Sequence, residues 1–442
     1  MFKKIEVWIV LLILIINLFI TTFLMVLVRQ ELVGGVKLGA LSKAALFIAE
    51  LPRNMKLMMM DKTEVHNKFP NTDGGFKGTP SKTEQYLLLS RFDKGLDEGI
   101  VELIDLKNFQ TIHTWNPDIS AMNRELEKTG GLKYRLIWKE NTALMTAPLL
   151  TKDLKLIFLT SGWNSPLRFI DVSSNALFQN YNVQFHHSIE EDLNNNFWIP
   201  FNLFPYSNKK LGTKVGDFAE NGLCKINSNG EVLFTKSLVD IFTKNNLDHL
   251  VYGGPLWYKD PFHLNDIEPV KYKSKYWDEG DVFLSLRHMS LVLLYRPSTD
   301  SILWKGEGHT FLQHDIDILD NHRIAIFNNN AKWRMDGRDL DNNQIIIYDF
   351  EKDQYSSYLE ESMKLENIAT PSQGLFQIVK DGGLFIEETD YGRLIYFNSD
   401  GTKRWSYINK ADNGSVYAVS WSRLIHNQWE IDRVNELIKG TY

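Results

Sequence analysis

The sequence predicts an all-β protein, a six-bladed β-propeller, preceded by an N-terminal transmembrane helix. Three observations predict this fold: one apolar run at the N-terminus, little helical periodicity after residue 82, and six similar strand–turn–strand stretches in the remainder. With 442 residues, 43% hydrophobic and 24% charged, the chain can bury a large core. The predicted parts are an anchor (1–34), a juxtamembrane helix and linker (35–81), the propeller (82–430) and a C-terminal tail (431–442).

The anchor is predicted from VWIVLLILIINLFITTFLMVLV, Val7 to Val28, which carries no charge over about 22 residues. That length crosses a ~30 Å hydrocarbon core as a helix. A cleaved signal peptide has a shorter apolar stretch of roughly 7–15 residues and a small-residue cleavage site, whereas Arg29 follows this run directly. We therefore expect an uncleaved single-pass membrane anchor. Basic residues flank both ends of the run, so the positive-inside rule does not indicate the side.

A second helix is predicted after the anchor, because apolar residues recur at helical spacing until Pro52 ends the pattern. These residues are Leu38, Leu41, Ala45, Ile48 and Ala49. The helix is either an interfacial or oligomerising element or a continuation of the anchor, and both interpretations remain open. Residues 53–80 contain MMMDK, NTDGG and Pro80, which are typical of a linker.

The propeller is predicted from six pieces that each combine an apolar strand, a polar turn and a second strand, often ending in an aromatic residue. They are VELIDLKNFQTIHTW (101–115), LRFIDVSSNALF (167–178), LCKINSNGEVLF (223–234), LVLLYRPSTDSILW (291–304), IIIYDFEKDQYSSY (345–358) and LIYFNSDGTKRW (394–405). Pieces about 50–70 residues apart favour propeller blades. The run VYAVSWSRLI (416–425) is expected to close the ring by pairing with the first blade. A large β-sandwich or two smaller β domains are the alternatives.

A second repeat places two histidines in equivalent positions. His187 and His314 each stand seven residues ahead of a turn asparagine, in HSIEEDLN and HDIDILDN. If these stretches are inner strands, both histidines lie at the same end of the channel, where side chains from different blades converge.

Three stretches resemble, in order, the HxND, SxRxxS and QHD motifs of the arylsulfotransferase family. They are DPFHLNDIEPV (260–270), GDVFLSLRHMSLVLLY (280–295) and WKGEGHTFLQHDIDIL (304–319). The resemblance spans roughly residues 85–425 and implies a propeller enzyme. Such an enzyme moves a sulfuryl group from an aryl sulfate ester to a phenolic or other hydroxyl acceptor, through a sulfohistidine and without a nucleotide sulfate donor.

The resemblance also implies a catalytic set. It matches His314 to the nucleophile and Arg287 to the supporting arginine. It matches His263, and either His186 or His187, to the two further histidines of the family. We favour His187, because the internal repeat aligns it with His314. A neutral imidazole can attack sulfur, and a guanidinium fork suits the oxyanion. Protonated His263 or His187 could donate a proton to an oxygen or to the leaving group. Neighbouring cations should lower the pKa of His314 and keep it neutral.

Four residues are candidates for binding substrate: His186, Asn265, Tyr252 and Trp257. Asn265 could orient an imidazole or simply serve a turn, and the two aromatic residues could stack on a phenol or pack their loops. Zinc could use His187, His263 and His314, but Arg287 opposes a dication and no HxH or HExxH spacing is present. We therefore expect no metal.

Composition excludes other classes of function. The net charge is −6 and basic residues are scattered, so no nucleic-acid partner is expected. The single cysteine, Cys224, rules out an intramolecular disulfide, and no dinucleotide or phosphate-loop fingerprint occurs between a strand and a helix, so we expect no cofactor.

Two alternatives to a sulfotransferase remain: a propeller without turnover that binds an anionic ligand or a protein partner, and a lyase or hydrolase on the same fold. This chain differs from exported members of the family in two respects: the expected anchor is uncleaved, and a pair of cysteines is lacking. The natural donor and acceptor and the oligomeric state are left open. Family analogy places the propeller on the periplasmic or extracytoplasmic side.

Overall fold

The chain divides into two compact units, Met1–Lys62 and Thr63–Tyr442. The computed structural model describes residues 6–33, 39–59, 63–83, 85–128, 142–160, 165–203, 219–253, 260–334 and 337–440.

The first unit consists of two helices in contact with each other, α1 (Val7–Val33) and α2 (Ala40–Met59). The segment Val7–Arg29 is long and apolar enough to cross a membrane, a property that signal sequences share. The prediction that the second helix ends at Pro52 is wrong, because α2 continues to Met59 with this proline inside it. A proline removes one i→i−4 hydrogen bond, and here that loss does not end the helix.

The second unit is an all-β propeller built of antiparallel sheets. One four-stranded sheet contains β3 (Tyr86–Asp93), β4 (Glu98–Asp105), β5 (Gln110–Trp115) and β29 (Arg423–Ile425). An eight-stranded sheet contains β6 (Met145–Leu150), β7 (Leu156–Thr160), β8 (Ser165–Ile170), β9 (Ala176–Phe185), β10 (Glu190–Glu191), β11 (Phe197–Leu203), β12 (Glu220–Ile226) and β13 (Val232–Ser237).

The remaining large sheets follow in chain order. One has β14 (Leu264–Pro269), β15 (Val282–Leu286), β16 (Leu291–Arg296) and β17 (Ser301–Glu307). The next has β18 (Ile316–Ile318), β19 (Arg323–Asn328), β22 (Gln344–Asp349) and β23 (Gln354–Tyr358). The last has β24 (Leu375–Ile378), β25 (Leu384–Glu388), β26 (Arg393–Phe397), β27 (Lys403–Ile408) and, at its edge, β2 (Gly75–Gly78).

Short elements complete the described part of this unit. Two-stranded pairs are formed by β1 (Glu64–Val65) with β28 (Val416–Tyr417) and by β20 (Ala331–Arg334) with β21 (Gly337–Leu340). The helices are α3 (Ile119–Lys128), α4 (Leu238–Lys244), α5 (Asp248–Tyr252), α6 (Glu360–Leu365) and α7 (Gln428–Lys439), with 3₁₀ turns at Arg287–Met289 and Thr389–Tyr391.

All six predicted hairpins are antiparallel strand pairs: β4–β5, β8–β9, β12–β13, β16–β17, β22–β23 and β26–β27. The prediction of six separate blades is nevertheless wrong. Strand β9 is ten residues long, and its end pairs both with β8, through Phe185–Ser165, and with β11, through Phe185–Phe201 and Gln184–Asn202. This pairing joins two successive meanders, β6–β9 and β10–β13, into one sheet.

Both ends of this unit are more ordered than the sequence indicates. Within the predicted linker, β2 pairs with Trp405–Ile408 at the edge of the last sheet. A Cβ atom at Gly78 would lie 2.3 Å from the carbonyl oxygen of Arg404, so this close approach requires glycine. The predicted tail also differs, because Ile431, Val434 and Leu437 of α7 are buried in the core.

The ring closes as predicted, since β29 pairs antiparallel with β3 through Arg423–Leu88, Leu424–Leu87 and Ile425–Tyr86. The carboxylate of Glu387, from the neighbouring sheet, is fully buried. It accepts hydrogen bonds from the backbone N–H groups of Trp421 (2.7 Å) and Ser422 (2.8 Å). Glu387 therefore holds the segment that enters the closing strand.

Substituting Glu387 tests this closure. Glu387→Ala leaves two buried N–H donors without their acceptor, which should lower the free energy of unfolding by about 2–5 kcal/mol. Glu387→Gln keeps one acceptor oxygen and should cost less. Urea denaturation of the full chain, followed by tryptophan fluorescence, measures both. An alanine variant as stable as the glutamine variant would contradict the conclusion that Glu387 holds the segment entering the closing strand.

Candidate active site

The site lies where the first strands of successive meanders begin. His187 precedes β10, His263 immediately precedes β14, and His314 precedes β18; β14 contacts both β10 and β18. His187 and His263 have left-handed backbones, with φ of 62° and 51°. This conformation is uncommon for residues other than glycine and is found preferentially at functional sites. The fold thus brings residues from distant parts of the chain to one end of the inner strands.

His314 has a defined protonation pattern. Its Nδ1 lies 2.5 Å from Oδ1 of Asn329, and because an amide oxygen only accepts hydrogen bonds, Nδ1 carries the proton. The lone pair of a neutral ring is then on Nε2. Among the described residues, Nε2 of His314 has no hydrogen-bond partner. This tautomer suits nucleophilic attack by Nε2.

The backbone around His314 is fixed by residues of β14. Nδ2 of Asn265 donates to the carbonyl of Gln313 (3.1 Å), and Oδ2 of Asp266 accepts from the N–H of Ile316 (3.2 Å). Asn265 is fully buried against the backbone that carries His314, and a role for it in binding substrate stays a prediction.

Arg287 lies in the 3₁₀ turn between β15 and β16 and is 4% exposed. Nδ1 of His288 donates to the carbonyl of Asp260 (2.7 Å), so Nε2 of His288 can accept from Nη1 of Arg287, 3.1 Å away. The backbone N–H of Arg287 donates to the carbonyl of His263 (3.1 Å). These contacts fix both ends of the arginine.

His263 is supported by a carboxylate. Its Nδ1 lies 2.7 Å from Oδ2 of Asp260, and its backbone N–H donates to Oδ1 of the same residue (3.2 Å). A carboxylate at Nδ1 fixes the ring orientation and stabilises a positive charge on the imidazole. The His263 ring centroid lies 4.2 Å from that of His288 and 5.1 Å from that of His187. His263 is therefore held in one orientation between His187 and His288.

The two adjacent histidines occupy different places. Nδ1 of His186 lies 2.7 Å from Nδ1 of His187, so one nitrogen donates and the other accepts. His186 is 1% exposed, whereas His187 is partly exposed, lies against His263 and has its ring centroid 6.0 Å from that of Trp421. The structure thus places His187 within the cluster and His186 behind it.

Burial dominates the electrostatics of the cluster. It lowers the pKa of His314 to about 3 and that of His186 to about 4, and the charge of Arg287 also lowers the pKa of His314. Burial, followed by the neighbouring histidines and Arg287, lowers the pKa of His187 well below its usual range. Burial also lowers the pKa of His263, followed by the charges of His288 and Arg287. At neutral pH the site holds neutral imidazoles around one permanent cation, so the predicted protonated His263 or His187 requires the negative charge of a substrate.

Sequence reasoning missed three contributors: Asp260, His288 and Asn329. The Asp-x-x-His spacing of DPFH was a signal for Asp260, and His288 directly follows Arg287 in the sequence. Of the predicted aromatic contacts, Tyr252 ends α5 and is 47% exposed, and Trp257 lies outside the residues that the structure describes.

One group of side chains has the composition of a metal site. Asp260, His263 and His288 each offer a ligand atom within 4.8 Å of the others. In this structure both imidazole Nδ1 atoms face oxygen atoms of Asp260, and the guanidinium of Arg287 lies against His288. A permanent cation at that distance opposes a dication. That the protein uses no metal stays a prediction.

Comparison with solved structures gives distant likenesses. A protein of unknown function from Bacteroides caccae has a TM-score of 0.47 and 13% identity, with 78% of this chain and 100% of that chain covered. A streptogramin B lyase has a TM-score of 0.39 and 11% identity, covering 82% and 97% of the two chains. The Dos1 propeller has a TM-score of 0.37 and 11% identity, covering 80% and 77%. Likenesses at this level do not bear on activity.

Comparison with curated proteins gives no match. The family model described as Arylsulfotransferase (ASST) matches residues 163–410, more than half of the 442 residues. The matched segment contains the cluster of His187, His263, Arg287 and His314. The chain belongs to the arylsulfotransferase family.

Proposed function

We propose that this chain is a membrane-anchored arylsulfotransferase that works through a sulfohistidine at Nε2 of His314. Family membership supports sulfuryl transfer in general. The observation that carries the mechanism is the hydrogen bond from Nδ1 of His314 to Asn329, because it leaves the Nε2 lone pair in a cluster with Arg287. No nucleotide sulfate donor is required.

The proposed reaction has two displacements. Nε2 of His314 attacks the sulfur of an aryl sulfate; the N–S bond forms, the S–O bond to the phenol breaks, and its electrons go to the phenolate oxygen, which takes up a proton. A hydroxyl oxygen of the acceptor then attacks the same sulfur, the N–S bond breaks, and the hydroxyl proton passes to a base. Two displacements at one positioned nucleophile replace a single difficult transfer.

Arg287 and His263 have separate roles in this proposal. The guanidinium binds sulfuryl oxygens, on which negative charge is spread in the transition state. His263, with Asp260 at its Nδ1, takes up a proton when the anionic substrate binds and donates it to the leaving phenolate. His187 lies against His263 and supplies a further polar contact to the sulfuryl group or the acceptor.

The anchor completes the proposal. Residues 7–28 would hold the enzyme in a membrane, and family analogy places the propeller on the periplasmic or extracytoplasmic side. The apolar helix at Val7–Arg29 supports attachment.

Removing the nucleophile tests the covalent step. His314→Ala should lower transfer from 4-nitrophenyl sulfate to phenol by at least about 10³-fold, as expected when a covalent nucleophile is lost. His309→Ala is the matched control, because His309 stacks on Tyr355 outside the cluster. Without acceptor, the wild-type chain should gain the mass of one SO₃ group, measured by intact-protein mass spectrometry. Transfer that survives His314→Ala would refute this nucleophile, and binding of aryl sulfate without turnover by the wild type would favour the anion-binding alternative.

The role of His263 predicts a dependence on the leaving group. His263→Gln should slow the release of unsubstituted phenol by about 100-fold or more, because this phenolate needs a proton from a general acid. Release of 4-nitrophenolate needs less assistance and should slow by less than about 10-fold. The measurement is the rate of sulfohistidine formation from each sulfate ester. Equal losses for both esters would exclude His263 as the acid.

The low pKa of His314 predicts its titration. The ¹⁵N signals of its ring should not change between pH 8 and pH 5, because a pKa of about 3 keeps Nε2 unprotonated in this range. The unfolded chain binds this proton near the ordinary pKa of 6.5, so the stability contributed by neutral His314 is complete above pH 6.5 and is lost progressively as the pH falls from 6.5 towards 3. NMR of histidine-labelled full chain in detergent measures the titration, with the signal assigned from His314→Ala. A midpoint near 6.5 would contradict the prediction.

A further inference from the structure

A buried network of amides stands behind Nδ1 of His314. Nδ2 of Asn329 donates to the carbonyls of Thr370 (3.0 Å) and Gln373 (2.8 Å). Both amide protons are thereby committed, and the oxygen, Oδ1, must face the imidazole. Asn329 is fully buried, so water does not compete for these bonds.

A second asparagine fixes the first. Nδ2 of Asn343 donates to the backbone carbonyl of Asn329 (2.9 Å) and to that of Thr370 (3.0 Å), and Oδ1 of Asn343 accepts from the N–H of Thr370 (2.7 Å). Rotating the Asn329 amide by half a turn would set its oxygen against two carbonyl oxygens and its NH₂ against Nδ1–H of His314. The network therefore allows one orientation of this amide.

We propose that Asn329 is the positioning residue that selects the Nδ1–H tautomer of His314 while adding no negative charge beside it. This inference rests on the proposed function, because the tautomer matters only if Nε2 of His314 reacts. An amide oxygen fixes the proton on Nδ1 and leaves Nε2 as a base. A carboxylate in its place would favour an imidazolium, whose Nε2 carries a proton and does not attack sulfur.

The contrast with His263 in the same site supports this inference. There the group at Nδ1 is the carboxylate of Asp260, at 2.7 Å, and the proposed role of His263 is to carry a proton. At His314 the group is an amide, at 2.5 Å, and the proposed role is to offer a lone pair. The chemical type of the supporting side chain thus matches the task of each histidine.

Two substitutions separate the parts of the proposal. Asn329→Leu removes the acceptor but keeps a similar volume, so the Nε2–H tautomer of His314 should become populated and kcat should fall by about 10–100-fold with little change in KM for the donor. Asn329→Asp supplies a charged acceptor, so the acid limb of the rate profile should move to higher pH by at least about one unit. Asn409→Leu is the matched control: it removes another buried amide, which donates to the carbonyls of Phe92, Tyr417 and Ala418 rather than to the His314 network, and should change neither tautomer nor pH profile.

The tautomer is read from the ¹⁵N shifts of the His314 ring in histidine-labelled full chain, and this readout does not depend on turnover. If Asn329→Leu leaves Nδ1–H in place, or if Asn409→Leu changes the tautomer equally, Asn329 has only a structural role and the inference fails. An acid limb that does not move in Asn329→Asp would overturn the part concerning charge. If the wild type transfers no sulfuryl group, the proposed function fails, while the tautomer measurement still decides what Asn329 does to His314.

Discussion

The pairing of the last strand with the first sheet is the constraint on which the site depends. Strand β29 joins β3 across more than 300 residues of sequence, and the buried carboxylate of Glu387 holds the segment that enters it. In this ring β14 contacts both β10 and β18, so the starts of these three strands lie beside one another. The three histidines that precede these strands are therefore close together in the structure although they are far apart in the sequence.

The histidines of this cluster differ mainly in the side chain that is hydrogen-bonded to each imidazole. Loss of solvation lowers the pKa of each of these histidines and favours its neutral form, and Arg287 provides the permanent positive charge. Asp260 stands behind His263 and Asn329 behind His314. Burial alone would make the histidines alike, and the supporting side chains make them different.

The sequence was sufficient for features that depend on local pattern. The six hairpins and the closing strand follow from apolar alternation and turn residues, and the family motifs pointed to His263, Arg287 and His314, which the structure brings into one cluster. Features that depend on contacts between distant parts of the chain could not be predicted from the sequence. Asn329 meets His314 only because β18 and β19 pair, and the eight-stranded sheet depends on the pairing of β9 with β11.

The left-handed backbones of His187 and His263 restrict which residues can replace these histidines, both in evolution and in mutagenesis. Such φ values cost a branched residue such as valine about 1–3 kcal/mol, whereas asparagine and glycine tolerate them. Drift at either site should therefore pass through asparagine or glycine, and homologues that have lost the chemistry should carry those residues in preference to aliphatic ones. For the experimenter, asparagine is the replacement that removes the imidazole while retaining the main-chain path.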